Sequence, residues 1–190
     1  MTLEFTGKDI LLEQIDAAVR ADCVHSITDD LRSRLCNLIG DPRIRLPDCL
    51  YQYSDDHYQR RLLHQDEKLG YSVMAMTWAP GQGTPIHDHS GMWCVEAVWH
   101  GSIEVHQYEL VEQQGERFRL ERRTVMRTGT GSAGSLIPPH EYHTIANPDP
   151  EQAAITLHIY AGAMVECCAF QPLSEDWYLR EPRRLQLDAA

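Results

Sequence analysis

The chain has 190 residues, 43% hydrophobic and 24% charged, with a formal net charge of −11. Its length suits one domain with a core of its own, and the composition is ordinary for a globular protein. The acidic balance argues against a phosphate-backbone partner. No apolar run nears the roughly 20 residues of a membrane span, and the start lacks the basic-then-apolar order of a secretory signal. A cytoplasmic protein with no nucleic-acid or membrane partner is expected.

In chain order, "DILLEQIDAAVR" at 9–20 repeats apolar residues at helical spacing. A second helix is expected from about Thr28 to Leu38, where Leu31, Leu35 and Leu38 share one face and "SITDD" offers capping residues. Residues 1–50 thus read as a helical appendage, and 51–190 as a barrel with C-terminal strands, within a single domain. After "GDPRIRLPD" the pattern turns to short strands split by turn residues. Seven are expected: "YQRRLLHQ", "YSVMAMTWA", "WCVEAVW", "SIEVHQYEL", "RFRLERRTVMR", "SLIPPHEYHTIA" and "AITLHIYA". His100-Gly101 suits the tight turn between the third and fourth. With no helical segment between them, these strands should form an antiparallel barrel or sandwich. The fold class is therefore mainly β.

The six cysteines show no CxxC spacing and no scaffold density, so most read as small buried hydrophobes. The histidines are more telling. Side chains alternate along a strand, so His87 and His89 point the same way and Asp88 the other. Inside a barrel, both could reach one ion.

Gly81, His87, His89 and Gly101 fall at the spacing of the first motif of the cupin superfamily, Gly-x5-His-x-His-x(3,4)-Glu-x6-Gly, with Cys94 where the Glu belongs. His143 and Asn147 resemble the His-x3-Asn that ends the second motif. The implied fold is a cupin-type antiparallel β-barrel, or jelly roll, with short N-terminal helices. On this resemblance the metal would be held by three neutral imidazoles, His87, His89 and His143, with His140 as the rival for the third place. Such a set leaves the ion more positive than two His and one carboxylate would, and it suits an anionic ligand such as a thiolate.

More specifically, the chain from about Tyr58 to Phe170 resembles the cysteine dioxygenase family. "HDH" at 87–89 matches that family's first two ligands, and His143 stands seventeen residues before Tyr160 as its third ligand does. Thr156, His158 and Tyr160 match its S-x-H-x-Y relay, with Thr for Ser. Cys94 lies five residues after His89, where animal members carry the cysteine that forms a thioether with the tyrosine. Tyr58 and Arg60 match the Y-x-R strand that binds the substrate carboxylate, although a gap-free count from His87 would select Arg61.

The resemblance implies a non-haem Fe(II) enzyme that oxidises a small carboxylate-bearing thiol to its sulfinate with O2. In it Tyr160, His158, Thr156 and Cys94 are the catalytic set, and Arg60 and Tyr58 bind substrate. L-cysteine is the first choice of substrate, with 3-mercaptopropionate and mercaptosuccinate as alternatives. The chain is expected to be a monomer or a small homo-oligomer. Another metal-dependent cupin enzyme, or a ligand-binding cupin without catalysis, stays open.

Overall fold

The computed structural model describes residues 2–189. Two helices, α1 (Lys8–Val19) and α2 (Val24–Leu38), lead into a short 3-10 turn at Asp48–Tyr51 and then eleven strands. These are β1 (Gln59–Asp66), β2 (Tyr71–Trp78), β3 (Ile86–His87), β4 (Cys94–His100), β5 (Ser102–Gln114), β6 (Arg117–Gly129), β7 (Ala133–Leu136), β8 (His143–Ala146), β9 (Ala154–Tyr160), β10 (Glu166–Ser174) and β11 (Trp177–Arg184). Five form a sheet in the order β1-β2-β9-β4-β7, and the other six close on themselves in the order β10-β11-β6-β5-β8-β3. Every strand pairing is antiparallel. Among the described residues, no helix is long and apolar enough to cross a membrane.

The five-stranded sheet is covered on both sides, which is why β2 and β9 are buried along their whole length. One face packs on the helices: Leu11, Ile15, Leu31 and Leu35 share a core with Val73, Ala75, Val95, Ala97, Leu157 and Ile159. The helices are therefore a layer of the fold, where the sequence suggested an appendage. The opposite face carries Met74, Met76, Trp78, Cys94, Val98 and Tyr160. Alternation along β4 and β9 puts Glu96, Thr156 and His158 on this second, inward face too.

Three strand expectations need correction. "SLIPPHEYHTIA" is two strands, β7 and β8, because consecutive prolines at 138 and 139 leave no backbone donors to continue a ladder. β3 is only two residues long, so His89 follows the strand instead of continuing it. The hairpin β10–β11 was not among the seven, since Pro172, Pro182 and a half-exposed, charged β11 obscure its pattern. Gly101 takes the β4–β5 turn at φ 76°, and a Cβ there would meet the carbonyl oxygen of Ala153 at 2.7 Å. Only glycine fits that turn without displacing the chain.

Candidate metal centre and its cavity

His87 ends β3 directly opposite His143 on β8, with ring centroids 4.3 Å apart. The ring of His89 lies 5.4 Å from that of His87 and 5.0 Å from that of His143. One nitrogen from each of the three falls within 4.8 Å of the others. Local bonding aims them. His87 Nδ1 faces the Pro85 carbonyl at 3.2 Å, and His143 Nδ1 donates to the Glu141 carbonyl at 2.8 Å. A proton held on Nδ1 leaves Nε2 as the free donor on each ring.

The turn carrying His89 is pinned from outside. Asp88 Oδ1 accepts from the backbone N–H of Cys168 at 2.8 Å and of Ser90 at 3.2 Å. Asp88 thus faces away from the two histidines and ties β3 to β10. Burial, with His143 alongside, pulls His87 down to about 3 and His89 well below the ordinary imidazole value. Both are neutral at physiological pH, the form that can coordinate.

His89 makes the strongest case for an ion. It is fully buried, and neither ring nitrogen has a hydrogen-bond partner among the described residues. A buried imidazole with both nitrogens unsatisfied costs on the order of 1–3 kcal/mol per group. A cation beside the ring removes part of that cost, so the residues present fit a divalent metal.

The other sheet brings up the remaining side chains. Cys94 and Tyr160 are direct cross-strand partners, both buried and in side-chain contact. Burial pushes the thiol and the phenol well above their ordinary values, so both keep their protons. His158 pairs across the strands with Glu96. The Trp78 indole N–H donates to Thr156 Oγ1 at 2.9 Å, and Thr156 Oγ1 lies 2.7 Å from His158 Nε2. The line does not continue to Tyr160. His158 and Tyr160 rings sit 6.0 Å apart without a hydrogen bond, whereas His158 Nδ1 faces Glu96 Oε1 at 3.2 Å.

Glu96 adds a buried carboxylate beside His143 that the sequence reading did not single out. It is buried on β4, two residues past Cys94, with Oε1 also 3.2 Å from His143 Nε2. Burial alone would raise its pKa, yet His143 and His158 hold it well below the usual carboxylate range. The sequence held a signal for it: a lone acid in the apolar run "WCVEAVW", at the same parity as Cys94. The motif's glutamate position drew attention to Cys94 instead.

A cavity of about 60 Å³ opens beside His87, walled by Tyr58, Arg60, His158, Tyr160 and Cys167. At roughly 30 Å³ per water molecule that is space for about two waters, the scale of a ligand with few heavy atoms. Arg60 pairs with Met76 and faces this cavity, whereas Arg61 pairs with Ala75 and faces the helix side. Nη1 and Nη2 of Arg60 donate to the carbonyls of Gln186 and Met164, each at 3.1 Å, which leaves three of five N–H groups free. Tyr58 stacks on Trp78 with centroids 4.6 Å apart. His140 is exposed in a separate surface groove, and His57 and His106 bond to Asp188 and Glu104 away from the cavity. Cys167 had read as an inert buried residue, yet it lines the cavity, and burial raises its thiol to about 11.

Comparison with known proteins accords with this arrangement. The family profile for cysteine dioxygenase type I matches residues 49–172, which contain all of these cavity and cluster residues, with the Gln186 carbonyl that Arg60 holds lying beyond it. Cysteine dioxygenase type 1 of Rattus norvegicus is 24% identical over 123 residues, covering 64% of this chain and 60% of the rat protein. The Homo sapiens protein is 22% identical over 120 residues, covering 63% and 58%. The match therefore spans about 60% of the length of these curated relatives. Among solved structures, a Klebsiella pneumoniae protein with a double-stranded β-helix domain aligns at TM-score 0.48 and 20% identity, covering 74% of this chain and 99% of that one. A Thermus thermophilus protein aligns at TM-score 0.47 and 20% identity, covering 63% and 96%. With two-thirds of its length under that profile, the chain belongs to the cysteine dioxygenase type I family of the cupin superfamily.

Proposed function

We propose that this protein is an iron-dependent thiol dioxygenase. It oxidises a small carboxylate-bearing thiol to the sulfinate with O2, and L-cysteine is the first candidate substrate. The observation that carries this reading is the unsatisfied, fully buried His89 between His87 and His143, beside a cavity holding one arginine and one tyrosine. His87, His89 and His143 would hold Fe(II). When bound, the iron supplies a Lewis acid that favours the thiolate and a reductant for O2.

The chain's own groups do the positioning. Arg60 presents its free N–H groups to the substrate carboxylate, a planar donor fork that fixes the thiol end toward the histidines. Tyr160 keeps its phenolic proton and offers a hydrogen-bond donor at the cavity wall. His158 is held in the cavity wall by Thr156, which in turn accepts from the Trp78 indole. The apolar remainder of the wall, Met76, Ile145 and Met164, excludes water around the thiol. Arg183 at the cavity margin, with its side chain 48% exposed, supports a second reading in which a dicarboxylic thiol such as mercaptosuccinate is accepted.

Oxygen consumption by iron-loaded protein tests the substrate class. L-cysteine, 3-mercaptopropionate or mercaptosuccinate should drive uptake, and cysteamine, which lacks the carboxylate, should be poor. Equal turnover of cysteamine and the carboxylic thiols would refute the role given to Arg60.

The pairing of Cys94 with Tyr160 leads to a covalent prediction. During turnover a thioether should form between Cys94 Sγ and the Tyr160 ring, with O2 as oxidant and loss of two hydrogens, lowering the intact mass by about 2 Da. Peptide mapping of turned-over enzyme should recover the two residues in one linked species. Quantitative alkylation of Cys94 in turned-over, denatured enzyme would exclude the bond. Cys94→Gly should keep iron and a reduced activity, because the cross-link orients Tyr160 and does not bind metal.

A further inference from the structure

We propose that a second cavity of the barrel is a site and entry route for O2, separate from the cavity that takes the thiol. This deepens the dioxygenase reading above and rests on it. The second cavity, of about 100 Å³, lies between the two sheets at the β7 edge. Strands β4 and β7 wall it on one side, and β5 and β6 on the other. Pairing turns the side chains inward: Val105 sits opposite Met126 on the β5–β6 ladder, and Leu136 sits opposite Cys94 on β7–β4. Val98, Ile103, Val105 and Leu136 are buried, whereas Met126 is exposed at the mouth. Among the described residues, none lines both this cavity and the one beside His87.

The walls select for a small apolar molecule. Its one ionisable side chain is an acid, Glu96, so nothing there would hold a carboxylate as Arg60 does in the other cavity. Of its polar side chains, Gln107 already accepts from Thr124 Oγ1 at 2.9 Å. An aliphatic void of roughly 150 Å³ stays dry and takes xenon or benzene. A void of about 100 Å³ with valine, isoleucine, leucine and methionine walls suits a diatomic gas on the same grounds.

The inner end of the cavity lies against the histidine cluster. Glu96 lines it, and Glu96 Oε1 is 3.2 Å from His143 Nε2. Gln107 lines it too and pairs with His143 across β5 and β8. On the neighbouring strand, the cross-strand partner of Glu96 is His158, which walls the thiol cavity. The two cavities thus approach the cluster from different sides, with the Glu96 and His158 pair between them. The division has a use. A carboxylic thiol seated on Arg60 takes up the cavity of about 60 Å³ beside His87 and leaves no passage for a second reactant. O2 that follows the thiol then needs its own way in.

Gly134 keeps this way open. It pairs with Glu96 on the inward face of β7, and it is exposed. A Cβ there would meet nothing within 4 Å among the described residues, and its φ lies outside the left-handed region. A larger side chain therefore enters free space without straining the backbone, and it fills the cavity opposite Glu96.

Xenon-pressurised crystals of the wild-type protein test the site without turnover. Xenon should lie among Val98, Ile103, Val105 and Leu136. Xenon only in the Arg60 cavity, or in neither, overturns the proposal whatever any variant does. Steady-state kinetics of iron-loaded protein then test the route. Gly134→Leu should lower kcat/KM for O2 at saturating thiol by about tenfold or more, and Gly134→Ala by less. Iron content and the anaerobic affinity for L-cysteine should stay at the wild-type level. An unchanged kcat/KM for O2 in folded, iron-loaded Gly134→Leu protein would overturn the route and leave the dioxygenase reading standing. An equal loss of thiol affinity would place the effect at the histidine cluster and count against a separate route. Wild-type protein that takes up no O2 with any carboxylic thiol would overturn the dioxygenase reading itself.

Discussion

Alanine at His143 is expected to remove most of the bound iron and, with it, thiol-dependent oxygen uptake. The side chain is fully buried, its Nδ1 proton is fixed on Glu141, and its Nε2 points at the cluster formed with His87 and His89. Loss of an outer supporting group already lowers metal affinity by roughly ten- to a hundredfold, so loss of a donor should exceed that range. Glu96 makes the effect larger, because removal of the imidazole takes away one of the two rings beside its buried charge. His140→Ala provides the contrast. That residue is exposed in another groove, and its removal should leave iron content and activity intact. Iron analysis of the two variants, with melting curves of the apo forms to confirm folding, checks the assignment. Retention of full iron by a folded His143→Ala protein would show that the third ligand lies elsewhere.

Arg60→Ala should lower kcat/KM for carboxylic thiols by roughly ten- to a hundredfold. A hydrogen bond to a charged group in a shielded site contributes on the order of 1.5–3 kcal/mol, and each 1.36 kcal/mol is about tenfold in rate. Turnover of cysteamine, which has no carboxylate for the arginine to hold, should change much less. Arg60→Lys keeps a charge but loses the planar fork, so it should fall between wild type and alanine. Arg60 also ties down the tail through the carbonyls of Gln186 and Met164, and its backbone N–H donates to Asp188 at 2.8 Å. The substrate ratio therefore separates recognition from loosening of the tail, which would depress all thiols together. An unchanged ratio of L-cysteine to cysteamine turnover would contradict the assignment.

Much of this arrangement is legible in the residues themselves, for identifiable reasons. The leucine spacing of α2 and the apolar runs of β2, β4 and β9 survive in sequence because each buries a long, regular surface. The two residues of β3 carry no period at all, and that strand exists only because β8 and β10 flank it. The hairpin β10–β11 is hidden by its prolines and charges. Within the site, His87, His89 and His143 keep a recognisable spacing because the barrel fixes where strands must supply donors. The choice between Arg60 and Arg61 could not be counted from His87, since the loop between β2 and β3 breaks the parity. The register of β1 on β2 decides it. Glu96 was readable by alternation from Cys94, but only the facing strand shows that His143 and His158 meet it.

The central claim is that iron held by His87, His89 and His143 serves thiol dioxygenation. Its most direct test is iron-loaded protein turning over L-cysteine under isotopically labelled O2, with product analysis by mass spectrometry. The predicted result is uptake that depends on both iron and thiol, yielding cysteine sulfinate with both new oxygen atoms labelled. Iron-loaded protein that consumes no O2 with any carboxylic thiol, or that yields only disulfide and peroxide, would contradict it.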